Sequence, residues 1–287
     1  MGVLDRFKNS WLLFKTSLAF LKRDKSLLAV PVLLPFVNLL TFALFAVIAI
    51  SIWFSIPTPE ARWQLTLWGI VFSALFLFLM SLVNTFFGAA QSWMVYEVAK
   101  GQDATLGSGV RRAMHNIGDV LLFALAMTAI HLLTAALRGK RQGQGIDVGY
   151  QVRSMFAGWI ETLTGILGKL VLPAMIVTER TFGEAVADLK RSIKAWPEIL
   201  ALEIGIGPVM GVAFFLGSLI IAVITLLLFP LSAMVAIITA IVLAVLLILT
   251  LNIFGTFINA TYYTLLYLAL IEKKHIKNVE DVFYRRI

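Results

Sequence analysis

From Ile199 to Ile271 the chain is almost continuously apolar. A water-soluble core cannot absorb a run of that length, because a folded surface must carry polar groups. Runs of about 20 apolar residues match the thickness of a bilayer as helices. Inside a bilayer a helix also satisfies its own backbone hydrogen bonds. This feature predicts an all-α, polytopic integral membrane protein. Composition agrees: of 287 residues, 60% are hydrophobic and 14% charged, with a mean hydropathy of +0.92. Soluble domains carry about a quarter charged residues.

Six spans are expected, at about 26–56, 63–98, 117–137, 152–178, 199–229 and 231–271. Pro230 and Ser232 divide the last apolar run, since proline ends helices. A further division at Asn252–Asn259 would give seven. Spans two and six, at 36 to 40 residues, would make about 54–60 Å of helix against a hydrocarbon core of about 30 Å. They are expected to project from the cytoplasmic face, or to break. Phe87, Gly88 and Tyr96 on span two match Phe254, Gly255 and Tyr263 on span six at one constant offset.

Basic residues orient the spans. With the N-terminus inside, eighteen of the 24 Lys and Arg residues fall in inner segments. Five fall outside (Arg62, Arg138, Lys140, Arg141 and Arg153), and Lys169 lies within a span. That is a positive-inside bias, with both termini cytoplasmic and a cytoplasmic tail at 272–287. The sequence RGKR (138–141) runs against it. The net charge of +8 therefore belongs to membrane loops, and a nucleic-acid partner is not expected. The absence of cysteine excludes disulfides and thiolate metal sites. Residues 1–25 lack the uninterrupted apolar region of a cleaved signal peptide, and Arg6 breaks the myristoylation pattern.

The stretch TFGEAVADLKRSIKAWPEIL (181–200) has Phe182, Val186, Leu189 and Ile193 on one helical face. Thr181 and Glu184 form a capping-box pattern. Leu106, Val110, Ala113 and Ile117 repeat that spacing, with Thr105 and Gly107 in the places of Thr181 and Gly183. Phe7, Trp11, Phe14 and Leu18 repeat it again. Each copy precedes a pair of spans. This predicts three repeats of an amphipathic elbow helix and a transmembrane hairpin, at about 5–98, 103–178 and 181–271, in a single domain. The bland alternative is an interfacial helix with this spacing by chance.

No metalloprotease, P-loop, nucleophile-elbow or Rossmann motif is present. His115, His131 and His275 have no metal-ligand spacing. No cofactor and no metal are expected, and a membrane enzyme is the least favoured reading. The candidate site is instead the set of ionisable residues within spans, which are costly there and usually face protein or water. Lys169 lies about 14 Å deep in span four and Glu203 about 9 Å deep in span five, depths that permit a pair. His131 and Glu161 are candidates for a second polar cluster, and Asn84, Gln91, Asn252 and Asn259 add amides on the two long helices. Structural alternatives stand beside each: an interhelical ion pair, an interfacial first turn for Glu161, a packing donor for His131, and packing amides worth about 0.6 kcal/mol each. Gly207 and Gly211 have the GxxxG spacing of a close helix contact.

Three segments resemble an uncharacterised family of prokaryotic six-span membrane proteins. In the first, the pattern falls on Ser10, Trp11, Lys15, Leu21, Asp24, Lys25, Leu27, Leu28 and Pro31. The second is FFGAAQSWMVYEVAKGQDATLGSGVRRA (86–113). In the third, it falls loosely on Pro173, Glu179, Ala185 and Val186. More distantly, the elbow-and-hairpin plan is similar to membrane domains found beside glycerophosphodiester phosphodiesterases. The resemblance implies a six-span fold and supplies no catalytic residue.

Two functions follow as expectations. One is transport, channel activity or lipid handling, with a cavity lined by Lys169, Glu203 and His131. The other is a structural or membrane-shaping scaffold that docks a partner membrane protein, or a second copy of itself, on its elbows. Membrane lipid is a partner in both.

Overall fold

The structure, a computed structural model, describes residues 15–55, 62–138, 148–192 and 196–270. Outside them lie Phe7, Trp11 and Phe14 of the first elbow, Lys140 and Arg141, Ile193, His275 and the C-terminal tail. The side chains of Leu189 and Glu203 and the surroundings of Gly207 also lie outside the described set. The described residues are helical and contain no strand. Residues 15–23 (α1) lead through a 3-10 turn, Lys25–Leu28, into α2 (Ala29–Ser55). Then come α3 (Arg62–Ala99), α4 (Leu106–His115), α5 (Ile117–Arg138) and α6 (Val148–Thr178). The chain continues with α7 (Phe182–Ser192), α8 (Trp196–Leu228) and α9 (Ala233–Leu270).

Six of these helices are long and apolar enough to cross a membrane: α2, α3, α5, α6, α8 and α9. Their flanks expose large apolar side chains, such as Leu40, Phe54, Leu226 and Met234, which is the exterior of a multi-pass membrane protein. Pro230 falls between α8 and α9, as expected, and α9 runs through Asn252–Asn259 without a break. The two long helices do not break either. Each has 38 residues, about 57 Å at 1.5 Å per residue.

The extra length is where the protein core forms. Ala89, Ala90, Met94 and Val95 of α3 are fully buried, as are Phe257, Tyr262, Leu265 and Tyr267 of α9 and Met175 and Ile176 of α6. Small residues make this packing possible. A Cβ at Gly88 of α3 would lie 2.8 Å from Leu172, and one at Gly109 of α4 would lie 2.7 Å from the carbonyl oxygen of Ala90. Gly101, at φ +79°, ends α3 in the left-handed conformation that glycine adopts without strain.

Polar clasps hold the same end. Asp24 accepts hydrogen bonds from the backbone N–H groups of Ser26 (2.8 Å) and Ala104 (3.0 Å). The Ser26 hydroxyl donates to the Ala104 carbonyl at 2.7 Å. Together these tie the start of α2 to the α3–α4 turn. Burial works against the Asp24 charge, and the hydrogen bonds from Ser26 and Ala104 outweigh it, so the carboxyl sits below its usual range. On α7 the expected capping box is present. Thr181 N–H donates to Glu184 (3.0 Å) and Glu184 N–H donates to Thr181 Oγ1 (3.4 Å). These bonds lower the Glu184 pKa. Asp119 of α5 accepts from Phe182 N–H at 2.9 Å, a second cap from a neighbouring helix.

Candidate functional site

Between α3, α5 and α6 lies a cavity of about 400 Å³. Leu77, Met80, Phe123, Met127 and Leu172 give it apolar walls, and Ser81, Asn84, Thr85, His131 and Lys169 give it polar groups. Gly165 and Gly168 form its α6 side. The size falls within the range typical of small-ligand pockets.

The geometry follows from the sequence of α6. A Cβ at Gly168 would meet the Phe123 ring at 3.1 Å, so glycine lets α5 close against α6 there. At Gly165, one helical turn away, a Cβ would meet nothing within 4 Å. The missing side chain there leaves open space in the cavity. Lys169 follows Gly168 and is half-buried. Its Nζ lies 5.1 Å from the centroid of the Tyr263 ring, whose side chain is buried on α9. A cation over an aromatic face at that distance is stabilised by about 1–2 kcal/mol. That contact offsets part of the cost of a charge at this depth.

Three residues singled out from the sequence thus border one cavity: Asn84, His131 and Lys169. Asn84 is exposed at the rim, where it accepts from Asn38 of α2 (3.2 Å) and donates to the Met80 carbonyl (2.7 Å). His131 is exposed on the α5 side.

The other candidates lie elsewhere. Glu161 forms an ion pair with Arg138 and accepts from the Thr134 hydroxyl at 3.1 Å, rather than joining His131. Arg138 reaches it because both residues lie toward the end of the hairpin that joins α5 to α6. Gln91 is fully buried and donates to the Leu27 carbonyl at 2.9 Å, bracing the 3-10 turn against α3. Its Oε1 has no partner among the described residues. Asn252 is exposed and Asn259 half-buried on α9. A Cβ at Gly211 would meet nothing within 4 Å, so this glycine is not a contact point. Among the described residues a tight α8–α9 approach is at Gly217, where a Cβ would lie 2.6 Å from Leu247.

Sequence reasoning missed a clasp at the end of α6. Arg112 of α4 donates from Nε to the Ile176 carbonyl (3.0 Å) and pairs with Glu179 at 2.6 Å. Its guanidinium also lies 4.4 Å over the Trp93 ring. The Arg112 hydrogen bond and charge lower the Glu179 pKa. Glu179 itself takes a left-handed φ of 56°, unusual for a residue other than glycine and costing about 1–2 kcal/mol. Trp93 Nε1 in turn donates to Glu97 (2.8 Å), which accepts from Ser108 (2.6 Å). The signal was present in Arg111–Arg112, but a basic pair beside a span reads as a solvated interfacial charge.

Among the described residues no group of three or more His, Cys, Asp or Glu side chains has the arrangement of a metal site. No family model matches the chain, and no curated protein matches it.

Proposed function

We propose that this chain is a multi-pass protein of the cytoplasmic membrane that binds and moves a solute or lipid through the α3–α5–α6 cavity. The observation that carries the reading is that cavity, with Asn84, His131 and Lys169 on its border. Ionisable residues within spans are costly, face the bundle interior or a cavity, and commonly mark a pathway or binding site. Both termini lie in the cytoplasm, on the basic-residue bias across the spans. The chain belongs, on this reading, with the six-span family that its three motifs resemble. It is built from three units, each an elbow helix followed by a hairpin. Support for the units is the order α1–α2–α3, α4–α5–α6 and α7–α8–α9, with an N-cap threonine at both α4 and α7.

The test is flux in proteoliposomes with and without Gly165→Leu, a side chain that has room to grow into the cavity. Wild-type protein is expected to accelerate transbilayer movement of at least one member of a panel of lipid analogues and small solutes by about tenfold, equivalent to about 1.4 kcal/mol. The variant should lose that acceleration. A chain that moves nothing in the panel would favour the scaffold, for which the elbow helices α4 and α7 are the docking surface to examine.

A further inference from the structure

We infer that the cavity holds a membrane lipid by an uncharged oxygen, a hydroxyl or a carbonyl at the end of an alkyl chain, hydrogen-bonded to the Thr85 hydroxyl. This rests on the functional reading above and names its ligand class.

Thr85 carries the first part of the argument. It is 6% exposed and lines the cavity. A threonine within a helix commonly satisfies its hydroxyl on the carbonyl four residues earlier, as Thr128 of α5 does with Ala124 at 2.8 Å. The Thr85 hydroxyl makes no hydrogen bond among the described residues. Buried hydroxyls are paired as a rule, because desolvation without a partner is costly. A ligand oxygen in the cavity supplies that partner, and the hydroxyl can either donate to it or accept from it. An uncharged oxygen suffices, since Thr85 brings no charge to the contact. Lys169 is already engaged, over the Tyr263 ring and in a further interaction. The assignment takes nothing from its charge.

Placement carries the second part. The Ser81 hydroxyl donates to the Ala124 carbonyl at 3.3 Å, which sets α3 in register with α5. Helix α5 has 22 residues, about 33 Å, close to the thickness of a hydrocarbon core. On that ruler Thr85, one turn beyond Ser81, lies about 5 Å inside the α4 end of α5. Leu77 also lines the cavity and lies about 12 Å farther along α3. The cavity is thus a slot along the membrane normal, from near the bilayer surface to about its middle. Between its ends Met80 and Met127 are flexible apolar walls that adapt to an alkyl chain, and Gly165 leaves room for it. A lipid with its polar end at Thr85 and its tail toward the midplane has the alignment of the leaflet around it. A hydrophilic solute would set polar groups against these walls without partners.

The test is photolabelling of the full chain in nanodiscs of zwitterionic phospholipid. Four probes share one sixteen-carbon, diazirine-bearing chain and end in hydroxyl, methyl ketone, carboxylate or plain methyl. The hydroxyl and ketone probes are expected to label peptides of α3 and α6 saturably and more tightly than the other two. The ratio of their affinities distinguishes a lipid alcohol from a lipid ester or ketone. Thr85→Val keeps the shape and removes the oxygen. It should weaken both neutral-headed probes by about tenfold, some 1.4 kcal/mol, spare the headless chain, and leave the melting temperature no lower. Gly165→Leu should weaken all labelling, and Gly158→Leu, on the same helix and also with open space around it, should leave it unchanged. If the carboxylate labels most tightly and Thr85→Val changes nothing, the neutral head is overturned and the cavity reading stands. If Thr85→Val lowers the melting temperature and no probe labels, the hydroxyl is satisfied within the fold or by water, and the lipid is overturned. If no probe responds to Gly165→Leu while its flux defect persists, a hydrophilic solute takes the lipid's place. If neither labelling nor flux responds to Gly165→Leu, both readings fall.

Discussion

The two halves of α9 differ in composition and have opposite surroundings. Between Phe257 and Leu268 it is packed among α2, α3 and α6, with Tyr262 and Leu265 wholly buried. Between Ala233 and Ile248 it packs on α8, and Met234 is 72% exposed. Hydropathy separates the halves in the opposite sense to a soluble protein: the buried half carries Asn259, Thr261, Tyr262, Tyr263, Thr264 and Tyr267, and the exposed half is nearly all Ala, Ile, Val and Leu, because lipid tails are as apolar as leucine and exert no hydrophobic drive between helices. Small residues and polar clasps on the neighbouring helices separate them further. At the end of the bundle with the buried half, Gly88 and Gly109 permit close approach of α3 to α6 and α4, and Asp24, Gln91 and Arg112 supply directed bonds. Around the other, Gly217 admits only the flexible tip of Leu247. The α4 end is held by protein contacts, the far end exposes its apolar flanks, and the cavity lies between them.

The largest expected disruption of this contrast is Gly109→Val. Its Cβ would collide with the Ala90 backbone rather than with a side chain that can move, so α4 must lift from α3. A loss of about 3 kcal/mol is expected, read as a fall in melting temperature of the detergent-solubilised protein. A Gly109→Val protein that melts with the wild type would show that the elbow end is not the stable half.

Asp24→Asn should cost less, about 2 kcal/mol at neutral pH, from weakening charge-assisted hydrogen bonds. It also carries a pH signature. The folded pKa of Asp24 is depressed from 3.8, so its stabilisation is complete above that value and is lost as pH falls through the lower folded pKa. Melting curves of variant and wild type should therefore differ at pH 7 and converge in acid. A gap independent of pH would assign the anchor to shape rather than to charge.

Smallest of all should be Leu226→Ala, at a side chain 72% exposed on α8. In detergent it should change stability by less than about 0.5 kcal/mol. A larger effect would mean that the far end is covered by protein and would sharpen interest in a second copy or partner there.

Much of this was legible in one dimension. Apolar runs and Pro230 marked the helices, since both act locally. The capping box at Thr181 was legible for the same reason. Asn84, His131 and Lys169 stood out because polar groups in apolar spans are expensive wherever the neighbours lie. The rest depended on helix rotation and pairing. GxxxG spacing says nothing about which face meets α9: Gly211 makes no contact, Gly217 does, and the surroundings of Gly207 lie outside the described residues. The partner of Glu161 was Arg138, which reads as a loop charge until α5 and α6 are placed side by side. Gly165 and Gly168 look interchangeable in sequence, yet one is filled by Phe123 and the other opens the cavity.

The bond from Ala104 to Asp24 has a consequence for how the chain is made. Its two ends are separated by 80 residues. At about 5–20 residues per second, translation takes about 4–16 s to cover that distance. For that interval α1 and the first hairpin have left the ribosome without the anchor that fixes them. The α7 cap likewise joins Phe182 to Asp119 of α5, 63 residues earlier. The start of α2 and the start of α5 are thus each anchored by a segment made later in the chain.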